Sequence, residues 1–229
     1  MNNPNDIIAF GEAGWLARLT DFADTLDSGY FANRVADILR AQPDITDAVA
    51  GIDSIAIRFD PKKITAATAH KLLSDALERT PRHSEQPASP IIEIPVCYSK
   101  DFGPDADHIC THCSLAPDQL IALHTAGDYR VVTLGFAPGF AYLSGLSPAL
   151  DVPRLETPRT HVPRGSIAIA GGFAGLYALP SPGGWNIIGR TPKILFDASS
   201  SSPFVLKPGS SVRFTPISED EFYKLGGTP

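Results

Sequence analysis

Arginines and aromatic residues at short spacing carry most of the chemical potential of this 229-residue chain. Across residues 153–166 the run PRLETPRTHVPRGS sets Arg154, Arg159 and Arg164 five positions apart on a proline-stiffened stretch, and SPGGWNIIGRTP at 181–192 adds Ser181, Trp185 and Arg190. Upstream, GFAPGFAYLSGL at 135–146 places Phe136, Phe140 and Tyr142 beside glycines that allow close backbone approach. A guanidinium offers planar, bidentate donors to carboxylate or phosphate, so Arg159 and Arg190 converging beside aromatic walls would make an anion pocket. Solvated arginines, or arginines paired with acids such as Asp151 and Glu156, are the alternative, and spacing does not choose between the two.

Other chemistries find less support in the residue order. Cys110, His112 and Cys113 sit within four positions, but no second ligand pair completes a four-coordinate zinc site, and the two cysteines can be buried apolar groups of a helix. Three cysteines are too few and too odd for a disulfide framework and fit a reducing compartment. No GxSxG elbow and no Walker A lysine motif is present. Ser181 reads as a turn residue and His124 as a structural histidine at a helix end, where the dipole would favour a cation.

The elements that must position these residues fall into two textures. Up to about residue 80, strand and helix patterns alternate: strands near 14–19, 45–50 and 54–59, and helices near 28–40 and 65–79. A polar stretch with three prolines, TPRHSEQPASP, reads as a linker. Residues 91–96 alternate as a strand that either completes a two-layer βαββαβ sandwich or leads into a second domain. Two short helices at 104–113 and 117–126 follow. After them come short strands between Gly/Pro turns at 129–134, 166–170, 176–179, 185–188, 194–196 and 211–215, the pattern of a compact barrel or sandwich. The expected division is a small α/β domain at 1–90 and an all-β domain at 91–229.

Net charge is −6 with 19 scattered Lys and Arg, which gives no basic footprint for nucleic acid. The N-terminal residues lack a signal-peptide pattern, and no apolar run nears the ~20 residues of a membrane span, so the reading is cytoplasmic.

The ordered series EIPVCY, FGPD, GFAPGFAYLSGL, PR-x4-PR-x2-VP-x-GS, IAGG and SPGGW-x-x-IGRTP-x-x-LFD resembles the family of the B-type subunit of 5-oxoprolinase, also called KipI-like or allophanate hydrolase subunit 1. That resemblance implies a ferredoxin-like α+β N-terminal sandwich and a cyclophilin-like β barrel. It implies a non-autonomous role beside two partners, a C-type cyclophilin-like protein and an A-type protein, in ATP-dependent opening of 5-oxoproline to glutamate with magnesium. Arg159 and Arg190 would hold the substrate carboxylate or a phosphorylated intermediate, with Tyr142, Ser181 and Trp185 lining the substrate. The family also contains an inhibitor of a histidine kinase and modules of urea carboxylase, so a binding role and a carboxyltransferase role are the alternatives. One departure stands out: Phe173-Ala174-Gly175 follows IAGG where the family usually has Gln-Thr-Gly, and two polar side chains are lost.

Overall fold

Apolar side chains at every second position define the strands of the first of two units, residues 1–87, in the computed structural model, which describes residues 5–22, 25–82 and 90–228. Strands β1 (Asn5–Ala9) and β2 (Gly14–Leu19) precede helix α1 (Thr25–Arg40), followed by β3 (Ile45–Ala50), β4 (Ser54–Phe59) and α2 (Ala66–Arg79). The strands pair antiparallel in the order β1-β2-β4-β3. Ala17, Leu19, Ala48, Ile55 and Ile57 turn to one face, where Phe31, Val35 and Leu39 of α1 and Leu73 and Leu77 of α2 complete a dry core. Thr65 caps α2, its hydroxyl accepting from the Thr68 N–H at 3.1 Å.

The α+β sandwich is thus present, with one strand exchanged. In a βαββαβ arrangement the last strand would flank the first; here β1 holds that edge of β2, and the 91–96 segment lies in the second unit. Register explains the choice. The segment forms β5 (Ile91–Cys97), and all seven residues pair in parallel with a C-terminal strand, from Ile91 with Ser211 to Cys97 with Ile217. Most of the expected linker, 83–89, lies outside the described residues.

The second unit, 88–229, continues with α3 (Ala106–Cys113), α4 (Pro117–Thr125), β6 (Tyr129–Leu134), β7 (Ala141–Ser144), β8 (Arg159–Val162), β9 (Ser166–Ala170), β10 (Phe173–Leu176), β11 (Ser181–Gly183), β12 (Asn186–Arg190), β13 (Ser211–Ile217) and α5 (Glu219–Lys224). Seven strands close a barrel in the order β10-β7-β6-β13-β5-β12-β9, while β8 and β11 pair as a separate ribbon. Ile94, Val96, Val131, Leu143, Ile167, Ile169, Leu176, Ile188, Val212 and Phe214 belong to one continuous buried cluster. The barrel is therefore a packed core and not a channel. The expected strand at 194–196 is reduced to one bridge between Phe196 and Phe204, because Pro192 interrupts the chain after β12.

His124, at the end of α4, is fully buried, with its Nδ1 2.7 Å from the Tyr98 hydroxyl. The Tyr129 hydroxyl donates to the His124 carbonyl at 2.8 Å, and the Phe214 ring lies 4.5 Å away. The structural reading holds, but the cation does not: burial pushes the His124 pKa down from 6.5 to about 3. Below pH 6.5 the unfolded chain takes up a proton that the folded chain refuses. The stability present above pH 6.5 is then lost at about 1.4 kcal/mol per pH unit down to about pH 3. Denaturant unfolding at pH 7 and pH 5 should show the native chain losing about 2 kcal/mol more than a His124→Gln chain; equal losses would contradict this account.

Candidate functional site

Because strand side chains alternate, the residues facing out of the barrel beside its packed core decide what can sit on it. In β9 the inward Ile167 and Ile169 alternate with the outward Ala168 and Ala170, and in β10 Ala174 and Leu176 face inward while Phe173 and Gly175 face out. On this low bed lie the rings of Phe140, Tyr142, Tyr177 and Trp185. Phe140 meets Tyr142, Tyr177 and Trp185 edge-on at 4.9, 4.8 and 5.8 Å, and Tyr142 meets Trp185 at 5.7 Å. Gly175 is required here: a Cβ would stand 2.9 Å from both the Phe140 and Trp185 rings. Gly183 has the same function beneath Tyr177, whose hydroxyl would be 2.3 Å from an added Cβ.

Cations rim this aromatic group. The Arg154 guanidinium lies over Trp185 at 5.7 Å. Arg159 enters from β8, opposite Gly183 of β11, and its Nη2 donates to Asp105 at 2.5 Å. The second Asp105 oxygen accepts from the Ile187 N–H at 2.6 Å, and the Asp105 N–H donates to the Ile187 carbonyl at 3.1 Å. One carboxylate thereby ties the start of α3, strand β12 and Arg159 together. Arg159 Nη1 is buried without a hydrogen-bond partner, as is Ser181 Oγ on the paired strand β11. A buried donor left unpaired is costly, so Nη1 marks where an acceptor belongs. Burial raises the Tyr177 pKa, countered by the Trp185 N–H donating to its oxygen and by Arg154 and Arg159. Burial likewise raises Tyr142, opposed by Arg154.

Phe136 adds backbone strain to the rim. The Ala137 N–H donates to the Gly135 carbonyl at 2.8 Å, closing a three-residue turn around Phe136 with φ at +69°, a conformation rare for a bulky residue. Its ring is 63% exposed and meets Phe140 edge-on at 5.4 Å. Strain of this kind persists where the position of the side chain matters.

Of the five residues singled out from the sequence, the structure gathers Tyr142, Arg159 and Trp185 around Tyr177, with the unpaired Ser181 on the ribbon beside them. Arg190 stands elsewhere: its Nε donates to the Arg164 carbonyl at 3.0 Å and its guanidinium lies over Phe102 at 5.9 Å. Tyr177 and Asp105 are the members that residue types did not single out, and Arg154, noted in the arginine series, joins them at the rim. Of the two lost polar side chains, position 173 packs against the aromatic group, whereas Ala174 points into the barrel core. A recess of about 420 Å³ near Gly127, Asp128, Ser211 and Arg213 is a weaker candidate, since Arg213 there faces Glu93 at 3.9 Å.

Among the described residues no three His, Cys, Asp or Glu side chains gather into a metal-binding group. Nor is any described helix long and apolar enough to cross a membrane.

The chain thus holds two units, a small α+β sandwich and a packed barrel with an aromatic and arginine group on its outer wall. The family pattern of the carboxyltransferase domain, subdomain C and D, matches residues 6–206. The B-type subunit of 5-oxoprolinase from Escherichia coli O157:H7 is 40% identical over 191 residues, 81% of this chain and 84% of that one. Its Bacillus subtilis (strain 168) counterpart is 44% identical over 133 residues, 58% and 55% of the two chains. The crystal structure of TTHA0988 superimposes with a TM-score of 0.75 at 33% identity, over 90% of this chain and 40% of its own. Kluyveromyces lactis urea carboxylase, at 20% identity and a TM-score of 0.80 over 96% of this chain and 22% of its own, shares the fold alone. The chain belongs to the carboxyltransferase-domain family that contains the B-type subunit of 5-oxoprolinase.

Two substitutions test the site's construction. Gly175→Ala should cost about 1–3 kcal/mol by overpacking and shift the emission of Trp185, measured in a Trp15→Phe background; unchanged stability and emission would mean that the rings do not rest on Gly175. Phe136→Gly should leave stability unchanged or raise it, because relief of about 1–3 kcal/mol of strain offsets the entropy glycine adds to the unfolded chain. A thermal melt showing clear destabilisation would make Phe136 a packing residue.

Proposed function

We propose that this chain is one component of an ATP-dependent hydrolase that opens 5-oxoproline to glutamate, and that the outer-wall cluster is its share of the substrate site. The observation that carries the reading is Arg159 Nη1, buried without a partner beside Tyr142, Tyr177 and Trp185. The naming of relatives at 35–40% identity over most of the chain as B-type subunits of 5-oxoprolinase supports the same substrate. 5-Oxoproline is a flat five-membered lactam bearing a carboxylate, and the cluster offers both complements: aromatic edges and faces for the ring, and a fixed guanidinium for the carboxylate.

In this reading Asp105 neutralises one arm of Arg159 and fixes its plane, so that Nη1 presents a donor without a rotameric search. Arg154 covers Trp185 and adds positive potential at the rim. The ring C–N bond breaks, the carbonyl carbon gaining the hydroxyl of water and the nitrogen its proton. Mg–ATP is assigned in this reading to a partner, the A-type or the C-type protein.

A second reading, a binding protein that inhibits a histidine kinase, draws on the strained, exposed Phe136. One experiment separates the two. 5-Oxoproline-dependent ATP hydrolysis should emerge only when this chain is combined with its A-type and C-type partners. Arg159→Lys should lower kcat/KM at least tenfold with the assembly intact by size-exclusion chromatography. No turnover from a correctly assembled mixture would defeat the hydrolase reading; Phe136→Ala abolishing kinase binding while Arg159→Lys does not would establish the second.

A further inference from the structure

We propose that Arg164 and Arg190 form a second oxyanion site, for a phosphate or carboxylate group, on the side of the barrel where α5 packs. Arg190 is only 8% exposed, and folding leaves its guanidinium against the Phe102 ring, which in turn packs on Phe222 of α5 at 4.4 Å. Arg164 is an exposed neighbour whose carbonyl accepts from Arg190 Nε at 3.0 Å. Gly165 enforces that approach: its φ is +78°, and a Cβ would collide with the Thr191 carbonyl at 2.3 Å. The turn therefore sets two cations side by side.

Among the described residues neither guanidinium is paired with a carboxylate. Buried charges are as a rule paired, and arginine does not escape by losing its proton. Burial and the Arg164 charge both push the Arg190 pKa down, with only Tyr223 acting the other way. An oxyanion set against both guanidinium groups in the recess they line would offset both effects. Arg164, Arg190, Thr191, Pro192 and Thr228 line a recess of about 10 Å³, room for a single oxygen while the rest of the ligand stays in solvent. The Thr191 hydroxyl oxygen accepts from the Lys193 N–H at 3.2 Å, which leaves its proton free to donate.

This site is separate from the outer-wall cluster. The cations acting on Tyr177 are Arg154 and Arg159, whereas the cation acting on Arg190 is Arg164. A ligand here would stabilise the seam between the Arg164 turn, the end of β12 and α5.

The test is a titration of the 15N-labelled full chain with sodium phosphate and, separately, sodium acetate at constant ionic strength in chloride, following the arginine Nε–Hε signals. The Arg190 signal should shift saturably, with a dissociation constant on the order of millimolar. Arg164→Ala, an exposed change, should weaken binding about fivefold or more, as expected on removing one charge about 4 Å from the anion in water. Arg190→Lys should abolish the anion-dependent rise in melting temperature. Saturation by phosphate alone identifies a phosphoryl ligand, by acetate alone a carboxylate, and by both a general oxyanion site. No saturable shift with either anion, or a shift that Arg164→Ala leaves unchanged, overturns the proposal.

Discussion

The buried carboxylate of Asp105 is the constraint on which the site depends. It accepts from Arg159 and from the Ile187 N–H, while its own N–H returns a bond to Ile187. Without it, α3 would lose its seat on β12, an N–H in the barrel wall would be unpaired, and Arg159 would be free to swing into solvent. Each of those groups is costly to leave unmatched in a poorly hydrated place, and a single residue meets all three needs. Arg159 reaches Nη1 into the cluster only because Nη2 is already held.

The second constraint is geometric. A seven-stranded barrel filled by Ile, Leu and Val has no interior room, so chemistry must occur on its outside or at its ends. The inward residues of β9 and β10 are large, and their outward neighbours, Ala168, Ala170 and Gly175, are small. That asymmetry leaves room for aromatic rings to pack edge-on against the wall in a group with a polar rim. The α+β unit has its own core and is organised by the same alternation, with β1 supplying the edge that β5 leaves to the barrel.

Much of this was legible in the residue order where period and punctuation were strong. β3, β4, β6 and β9 lie where the sequence placed them, β4 by its alternation and β6 and β9 by the Gly/Pro turns that bound them. The four-residue β7 and β8, the three-residue β11 and the single bridge at Phe196 were not legible as they stand, since strands this short are stabilised by their neighbours and not by their own pattern. At the site, Tyr142, Arg159 and Trp185 declared themselves by type and setting. Tyr177 was concealed in a run that reads as ordinary strand, although the Ile-Ala alternation of β9 was a usable sign that rings would lie across it. Asp105 stood in the FGPD run, but its role was out of reach, because its partners are 54 and 82 positions away and only the folded chain brings them together. Arg190, alike in type to Arg159, separated from it for the same reason: side-chain direction after the irregularity in β12 is a tertiary property.

The most direct test of the account is a double-mutant cycle between Asp105→Asn and Arg159→Gln, with stability measured by denaturant unfolding of the intact chain. Asparagine keeps an acceptor for the Ile187 N–H but removes the charge facing Arg159, so each single change and the pair isolate that interaction. The account predicts a coupling energy of about 1–3 kcal/mol, as found for partly buried, hydrogen-bonded charge pairs. Strictly additive losses would contradict it, because Asp105 would then hold only β12 and the position of Arg159 would have another cause.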